Sequence, residues 1–382
     1  MKKRIKVLVV FGTRPEAIKL APLIKEMQGD PGFLLEICCT RQHTDLLDPV
    51  LAHFALKPGI NLDVMVANQS LARLTGKILE QIEPVIAKFS PDLVIVQGDT
   101  TSAMVAGLAS FYNKAKVAHV EAGLRSSDRF SPFPEEINRI LVGQVADFHF
   151  APTRVSARNL LREGIKKNVH VVGNTVIDAL FLCLKMGKGK NDKDVLSHFS
   201  FIDWRKKVIL VTAHRRESYG RGIKSICQAI EKLASRGDVE IVYATHPNPN
   251  MRKPVFKMLS KTKGIHLIDP LSYEKLVWLM NRSYLIMTDS GGIQEEAPSL
   301  GKPVLVLRRL TERMEGVKAG TAVLVGTDKE QIYNRASHLL DNKKAYDKMA
   351  KASNPYGDGK SSRRIVQILK KSLHQEAQML EG

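Results

Sequence analysis

The chain has 382 residues, of which 44% are hydrophobic and 25% charged, and it carries a formal net charge of +19. That length exceeds one ordinary core and points to two domains, while the composition excludes a disordered or fibrous chain. No apolar stretch is long enough to span a membrane, and Met1–Arg4 runs straight into a strand-like segment instead of a secretory leader, so a cytoplasmic protein is expected.

In chain order, short β-branched runs alternate with helical patterns. The expected strands of the first series are Ile5–Phe11, Leu34–Thr40, Asp92–Gln97, Ala115–Glu121, Phe148–Ala151 and Val169–Gly173. A polar, low-signal stretch, Lys185–Asp194, follows. The alternation then restarts with Val208–Thr212, Val239–Thr245, Ile265–Ile268, Tyr284–Thr288, Val304–Leu307 and Ala322–Val325. Runs that are apolar throughout and separated by helices read as parallel strands buried on both faces in βα units. The fold class is α/β, with two Rossmann-like doubly wound domains expected at 1–180 and 181–360.

Four cysteines, Cys38, Cys39, Cys183 and Cys227, show no metal or redox spacing and read as small buried hydrophobes. The excess positive charge asks for an anionic partner, either nucleic acid or nucleotides and phosphosugars. The basic residues are spread along the chain, with no basic arm and no RNA-binding signature. A solvated basic surface with one anionic ligand site is therefore favoured over nucleic acid.

In open α/β sheets ligands gather beyond the carboxyl ends of the strands, so the residues just after each expected strand are site candidates. Two sheets facing each other would line one cleft with His, Arg, Asp and Glu. In FGTRPEAIKLAPL, Pro15 suits the first turn of a helix, and Arg14 and Lys19 add positive charge near its start, a setting for a diphosphate. The bland alternative is an ordinary βα turn with solvated cations. Pro22 is expected to kink this helix or stop it early. In DSGGIQEEAPSLGKP, Gly291 and Gly292 permit close backbone approach and Ser290 can cap a helix or donate to phosphate, with Gly301 and Pro303 marking the helix end. Glu296 lies beyond the first turn, where a carboxylate can accept ribose hydroxyls. Glu295 reads as favourable dipole placement near a helix start.

Several motifs fail. No GxGxxG follows a strand, which argues against nicotinamide or flavin dinucleotides. GDGKSS at Gly357–Ser362 has Asn354 where a P-loop needs glycine, and DKD at Asp192–Asp194 lies in the polar break. No spacing suggests a metal, so neither metal nor cofactor is expected. Asp99, Glu121 and one of Glu135 or Glu136, with Arg139 and His214, lie near strand ends. One such residue alone would read as a cap or salt bridge, but together they suit general acid–base chemistry. The residues by themselves thus describe a two-domain enzyme acting on a nucleotide-linked anion.

Taken in order, GTRPEAIKLAPL, QGDTTSA, HVEAGLRS, PFPEEINR, AHRRES, HPNP, DSGGIQEEAPSLGKPVLVLR and TERMEG resemble the non-hydrolysing UDP-N-acetylglucosamine 2-epimerases of bacteria and archaea. The resemblance covers nearly the whole chain. It implies a GT-B-like pair of domains with the active site in the inter-domain cleft and a C-terminal helix, about 361–380, crossing back to the first domain. It also implies interconversion of UDP-GlcNAc and UDP-ManNAc in a homodimer serving polysaccharide biosynthesis, through anti elimination of UDP to 2-acetamidoglucal and syn re-addition. Asp99, Glu121, Glu135, Arg139 and His214 match the family's catalytic residues. Asp99 and Glu121 are candidates for proton transfer at C2, in an order left open, and His214 for assisting the departing phosphate. Arg14, Lys19, Ser290, Gly291, Gly292, Glu296 and Arg313 match contacts to UDP. Many bacterial members take a second UDP-GlcNAc as activator, at positions matching Gln42, Gln69, Glu136, Arg215 and His246. Arg41 stands where a small residue is usual. Competing readings are a hydrolysing 2-epimerase, a GT-B-fold glycosyltransferase and a UDP-sugar-binding sensor.

Overall fold

A computed structural model describes residues 4–42, 47–187, 190–215 and 219–381. His43, the Arg216–Ser218 part of AHRRES and the side chains of Asp192 and Lys193 in DKD lie outside the described residues. The chain divides into two compact units, Met1–Leu182 with Tyr356–Gly382, and Cys183–Pro355.

The first unit contains β1 (Ile5–Phe11), β2 (Phe33–Cys39), β3 (Ile60–Asn61), β4 (Leu93–Gln97), β5 (Lys116–Val120), β6 (Phe148–Ala151) and β7 (Val169–Val171). They form one parallel sheet in the order β3-β2-β1-β4-β5-β6-β7. The central strands are apolar along their whole length because helices cover both faces, and Leu8, Val10, Val94 and Val96 are fully buried. The second unit contains β8 (Lys207–Thr212), β9 (Val239–Ala244), β10 (Ile265–Ile268), β11 (Leu285–Thr288), β12 (Val304–Val306) and β13 (Ala322–Leu324). These are also parallel, in the order β10-β9-β8-β11-β12-β13.

Each order reverses direction once, between β1 and β4 in the first sheet and between β8 and β11 in the second. Loops leaving such a pair diverge to opposite faces and open a crevice at the carboxyl ends of the strands. Four loops therefore matter most: those after β1, β4, β8 and β11. The adjacent strands at the second switch are tied by a 2.7 Å bond between the buried hydroxyls of Thr212 and Thr288.

The structure refines the sequence reading at four points. The helix Arg14–Gln28 runs through Pro22 without stopping. Its apolar face, including Leu20, Leu23 and Ile24, is buried, and that packing outweighs the one backbone donor the proline lacks. The polar stretch Lys185–Asp194 is not a structureless break, because the helices Thr175–Met186 and Lys190–His198 occupy most of it. Beyond Ser290 the chain forms a short α-helix, Gly291–Glu296, and then a 3₁₀ turn, Ala297–Leu300, that accommodates Pro298; Gly301, at φ +65°, ends it. The two-residue edge strand β3 escaped sequence reading because it has no apolar run. All four cysteines are buried free thiols.

The long C-terminal helix, Ser361–Glu381, belongs to the first unit and packs on the helix Arg14–Gln28. Lys370 Nζ meets Asp30 at 2.7 Å, and the backbone N–H groups of Ser361 and Ser362 donate to the buried Asp178 carboxylate.

Candidate functional site

At the first switch point a cleft of about 710 Å³ opens beyond β1 and β4. It brings together Arg14, Lys19, Gln42, Asp99, Glu121 and Glu135. Arg139 sits behind Asp99 and donates to its carboxylate, and Asn138 holds the Asp99 carbonyl at 3.0 Å. Lys19 does not lie idle at its helix start: its ammonium meets Glu121 Oε2 at 2.5 Å. Glu121 immediately follows β5 and adopts φ +67°, a left-handed conformation that is unfavourable for glutamate and that aims its side chain into the cleft.

The same turn is buttressed from below. His119 is fully buried, and burial is the main cause that lowers its pKa to about 3, so the ring is neutral and Nε2–H donates to the Gly98 carbonyl at 2.8 Å. Gly98, at φ +71°, makes the turn into Asp99 possible.

Glu16 also lines the cleft, and sequence reading passed over it. Its Oε2 accepts from the Gly12 and Thr13 N–H groups and the Thr13 hydroxyl, at 3.1, 2.8 and 2.8 Å, while Oε1 accepts from the Thr100 hydroxyl at 2.7 Å. It thus ties the loop after β1 to the loop after β4. Burial, only partly opposed by these donors, raises its pKa to about 7. The available signal was Thr13-x-x-Glu16, a capping-box spacing whose second function is invisible without the fold.

The remaining expected residues of this unit are placed differently. Glu136 is buried with its carboxylate on the Ser126 and Ser127 N–H groups and on Arg139. Gln42 accepts from the Ser102 backbone and hydroxyl, and Gln69 lies in the segment before the helix Leu71–Phe89 with its amide near Met65. Arg41 occupies φ +53°, a conformation that only glycine adopts without a Cβ penalty, and pairs with Asp48 and Asp63.

At the second switch point, after β8 and β11, Asp289 is the organising group. It is fully buried; Oδ2 accepts from the His214 and Arg215 N–H groups at 2.6 and 2.7 Å, and Oδ1 lies 3.0 Å from His214 Nδ1. Burial alone would raise its pKa, but the His214 ring and the two backbone donors hold it below the ordinary carboxylate value. An anionic Asp289 fixes the His214 ring with Nδ1 toward it and Nε2 outward. The His246 ring stacks on His214 at 5.4 Å, and Arg215 is exposed.

Ser290 begins the short helix, and Arg313 lies against Gly291, where an added Cβ would come within 3.2 Å of the guanidinium carbon. Glu295 receives Arg313 Nε at 2.8 Å, so its carboxylate anchors this arginine instead of acting through the helix dipole. Glu296 is buried and accepts from the Tyr273 hydroxyl at 2.7 Å. Burial, together with the Glu296 charge, pushes the Tyr273 phenol well above its ordinary pKa and keeps it a donor. Among the described residues no group of three or more ligating side chains could hold a metal ion, and no helix is long and apolar enough to cross a membrane.

Two doubly wound parallel units with charged groups gathered at both switch points define a GT-B-like α/β protein. A family model described as UDP-N-acetylglucosamine 2-epimerase matches residues 25–370. A UDP-N-acetylglucosamine 2-epimerase of Escherichia coli K12 is 50% identical over 370 residues, covering 96% of this chain and 98% of its own length. The crystal structure of UDP-GlcNAc 2-epimerase from Neisseria meningitidis bound to UDP-GlcNAc is 48% identical, with a TM-score of 0.89 over 96% of this chain and all of that one. The Methanocaldococcus jannaschii UDP-GlcNAc 2-epimerase in complex with UDP-GlcNAc and UDP is 37% identical, with a TM-score of 0.79 over 96% of this chain and 100% of that one. The chain belongs to the UDP-N-acetylglucosamine 2-epimerase family.

Proposed function

We propose that the protein interconverts UDP-N-acetylglucosamine and UDP-N-acetylmannosamine without net hydrolysis. A carboxylate removes the C2 proton as the C1–O bond breaks and UDP departs with the electron pair, leaving 2-acetamidoglucal. Return of the proton to the other face and re-addition of UDP complete the epimerisation. The observation that carries this reading is that two carboxylates lining one cleft are each paired with a cation, Asp99 with Arg139 behind it and Glu121 with Lys19. Two acids held separately by fixed cations can serve opposite faces of one carbon, one accepting and one donating. Arg14, Ser290, Gly291, Gly292 and Arg313 would hold the UDP that must leave and return, Glu296 its ribose, and His214, oriented by Asp289, the departing phosphate. The family's homodimer is taken as the working assembly. A second UDP-GlcNAc would act as activator through Gln42, Gln69, Glu136, Arg215 and His246, and a sigmoidal dependence of rate on UDP-GlcNAc would reveal it.

Incubation with UDP-GlcNAc in heavy water, followed by NMR of the sugar, tests the proposal. Deuterium should enter at C2 and two UDP-sugars should accumulate together. Accumulation of free ManNAc and UDP would replace this reading by the hydrolysing one, and C2 hydrogen that never exchanges would end both. Asp99→Asn should stop exchange while UDP still binds.

A further inference from the structure

Three donors converge on a single oxygen of Glu121: Lys19 Nζ at 2.5 Å, Gln97 Nε2 at 3.1 Å and Asn174 Nδ2 at 3.2 Å. Lys19 and Gln97 come from the switch-point elements themselves, the helix after β1 and the end of β4. Asn174 does not. It follows β7, the far edge of the sheet, and is 2% exposed.

Its environment explains why an asparagine stands there. The side-chain oxygen accepts from Val176 N–H at 3.1 Å and so caps the helix Thr175–Met186, while the side-chain nitrogen donates to Glu121. A carboxylate on one side and a backbone N–H on the other make opposite demands, which fixes the orientation of the amide. Its backbone N–H donates to the Tyr356 carbonyl at 2.6 Å, where the chain re-enters the first unit. Gly173, at φ +95°, packs so closely that a Cβ would come within 2.6 Å of Ser361 Oγ and 3.2 Å of Gly357 Cα. Asn174 is therefore located from three directions. Aspartate could keep the cap but would set a second carboxylate against Glu121, and serine could keep the cap without reaching it.

We propose that Asn174 is a positioning residue for the reaction, its amide holding the plane of the Glu121 carboxylate and thereby the direction from which that group works on the sugar. The inference rests on the catalytic reading of Glu121 given above. The strain of φ +67° at Glu121 supports it, because a carboxylate on an unfavourable backbone keeps its direction only if neighbours over-determine it.

The test uses Asn174→Ser and Asn174→Asp, both able to cap the helix, beside Glu121→Gln and the unaltered protein. Thermal transitions, UDP affinity by calorimetry and the rate of C2 deuterium incorporation at saturating UDP-GlcNAc are measured for each. Both Asn174 variants should bind UDP within about two-fold of the unaltered protein yet exchange C2 slower by on the order of ten-fold or more, the aspartate worse at pH 8. KM should change little, since a direction within the transition state is lost and not a ground-state contact. Exchange at the unaltered rate in either variant, or a loss that only tracks the folded fraction, overturns the proposal. Undiminished exchange in Glu121→Gln overturns the catalytic reading beneath it. Loss in Glu121→Gln together with full rates in both Asn174 variants overturns this inference alone.

Discussion

Replacing Glu16 by glutamine sets two opposing forces on one carboxylate against each other. Burial raises its pKa from 4.5 to about 7, while four donors from Gly12, Thr13 and Thr100 favour the anion. A folded-state pKa above the unfolded value means the folded protein holds the proton more tightly. The associated stability is fully present below about pH 4.5, is lost as the pH rises through 7, and is constant beyond. At 1.36 kcal/mol per unit, the shift makes the unaltered protein about 2.5 kcal/mol less stable at pH 8 than at pH 5 through this group alone. Glutamine does not titrate, so its melting temperature relative to the unaltered protein should rise with pH over that range. For a unit of this size the rise is on the order of 5–10 °C. Glutamine can direct its oxygen to Gly12 and Thr13 and its amide to Thr100, so any constant offset reports hydrogen-bond quality and the slope reports the charge. Differential scanning fluorimetry of both proteins, without ligand, at half-unit steps from pH 5 to 8 reads that slope. A difference independent of pH would refute the reasoning and show that the four donors hold Glu16 anionic throughout.

Asp289→Asn keeps an acceptor for the His214 and Arg215 N–H groups but turns an amide donor toward His214 Nδ1, which moves the ring proton to Nε2; C2 exchange should fall by roughly ten-fold or more while the melting temperature changes little, and an unchanged rate would remove His214 from the reaction. Glu295→Gln releases Arg313 Nε and should weaken UDP binding several-fold by calorimetry, whereas an unchanged Kd would leave Glu295 a purely structural anchor. Gly123→Ala and Gly98→Ala separate collision from backbone strain. At Gly123 a Cβ would lie 2.2 Å from the Ser156 carbonyl oxygen at φ +84°, whereas at Gly98, φ +71°, nothing lies within 4 Å. The first should be destabilised by about 3 kcal/mol or more and the second by about 1–2, so equal melting temperatures would contradict the geometry.

The sequence by itself determined the α/β class and twelve of the thirteen strands among the described residues. Strands buried on both faces must be apolar throughout, and that pattern needs no partner to be seen; only β3, too short to carry it, was lost. The rule of looking just past each strand also singled out Asp99, Glu121, His214 and Ser290, because strand ends are local features. Which of those ends share a site was decided by the order of strands, β2-β1-β4 and β9-β8-β11, and strand order is a matter of long-range pairing. For the same reason Glu16 and Asn174 were passed over, and Glu295 read as a dipole partner. Their partners Thr100, Arg313 and Glu121 lie 84, 18 and 53 residues away along the chain. Local spacing can announce a cap, but only tertiary packing decides what else the capping side chain holds.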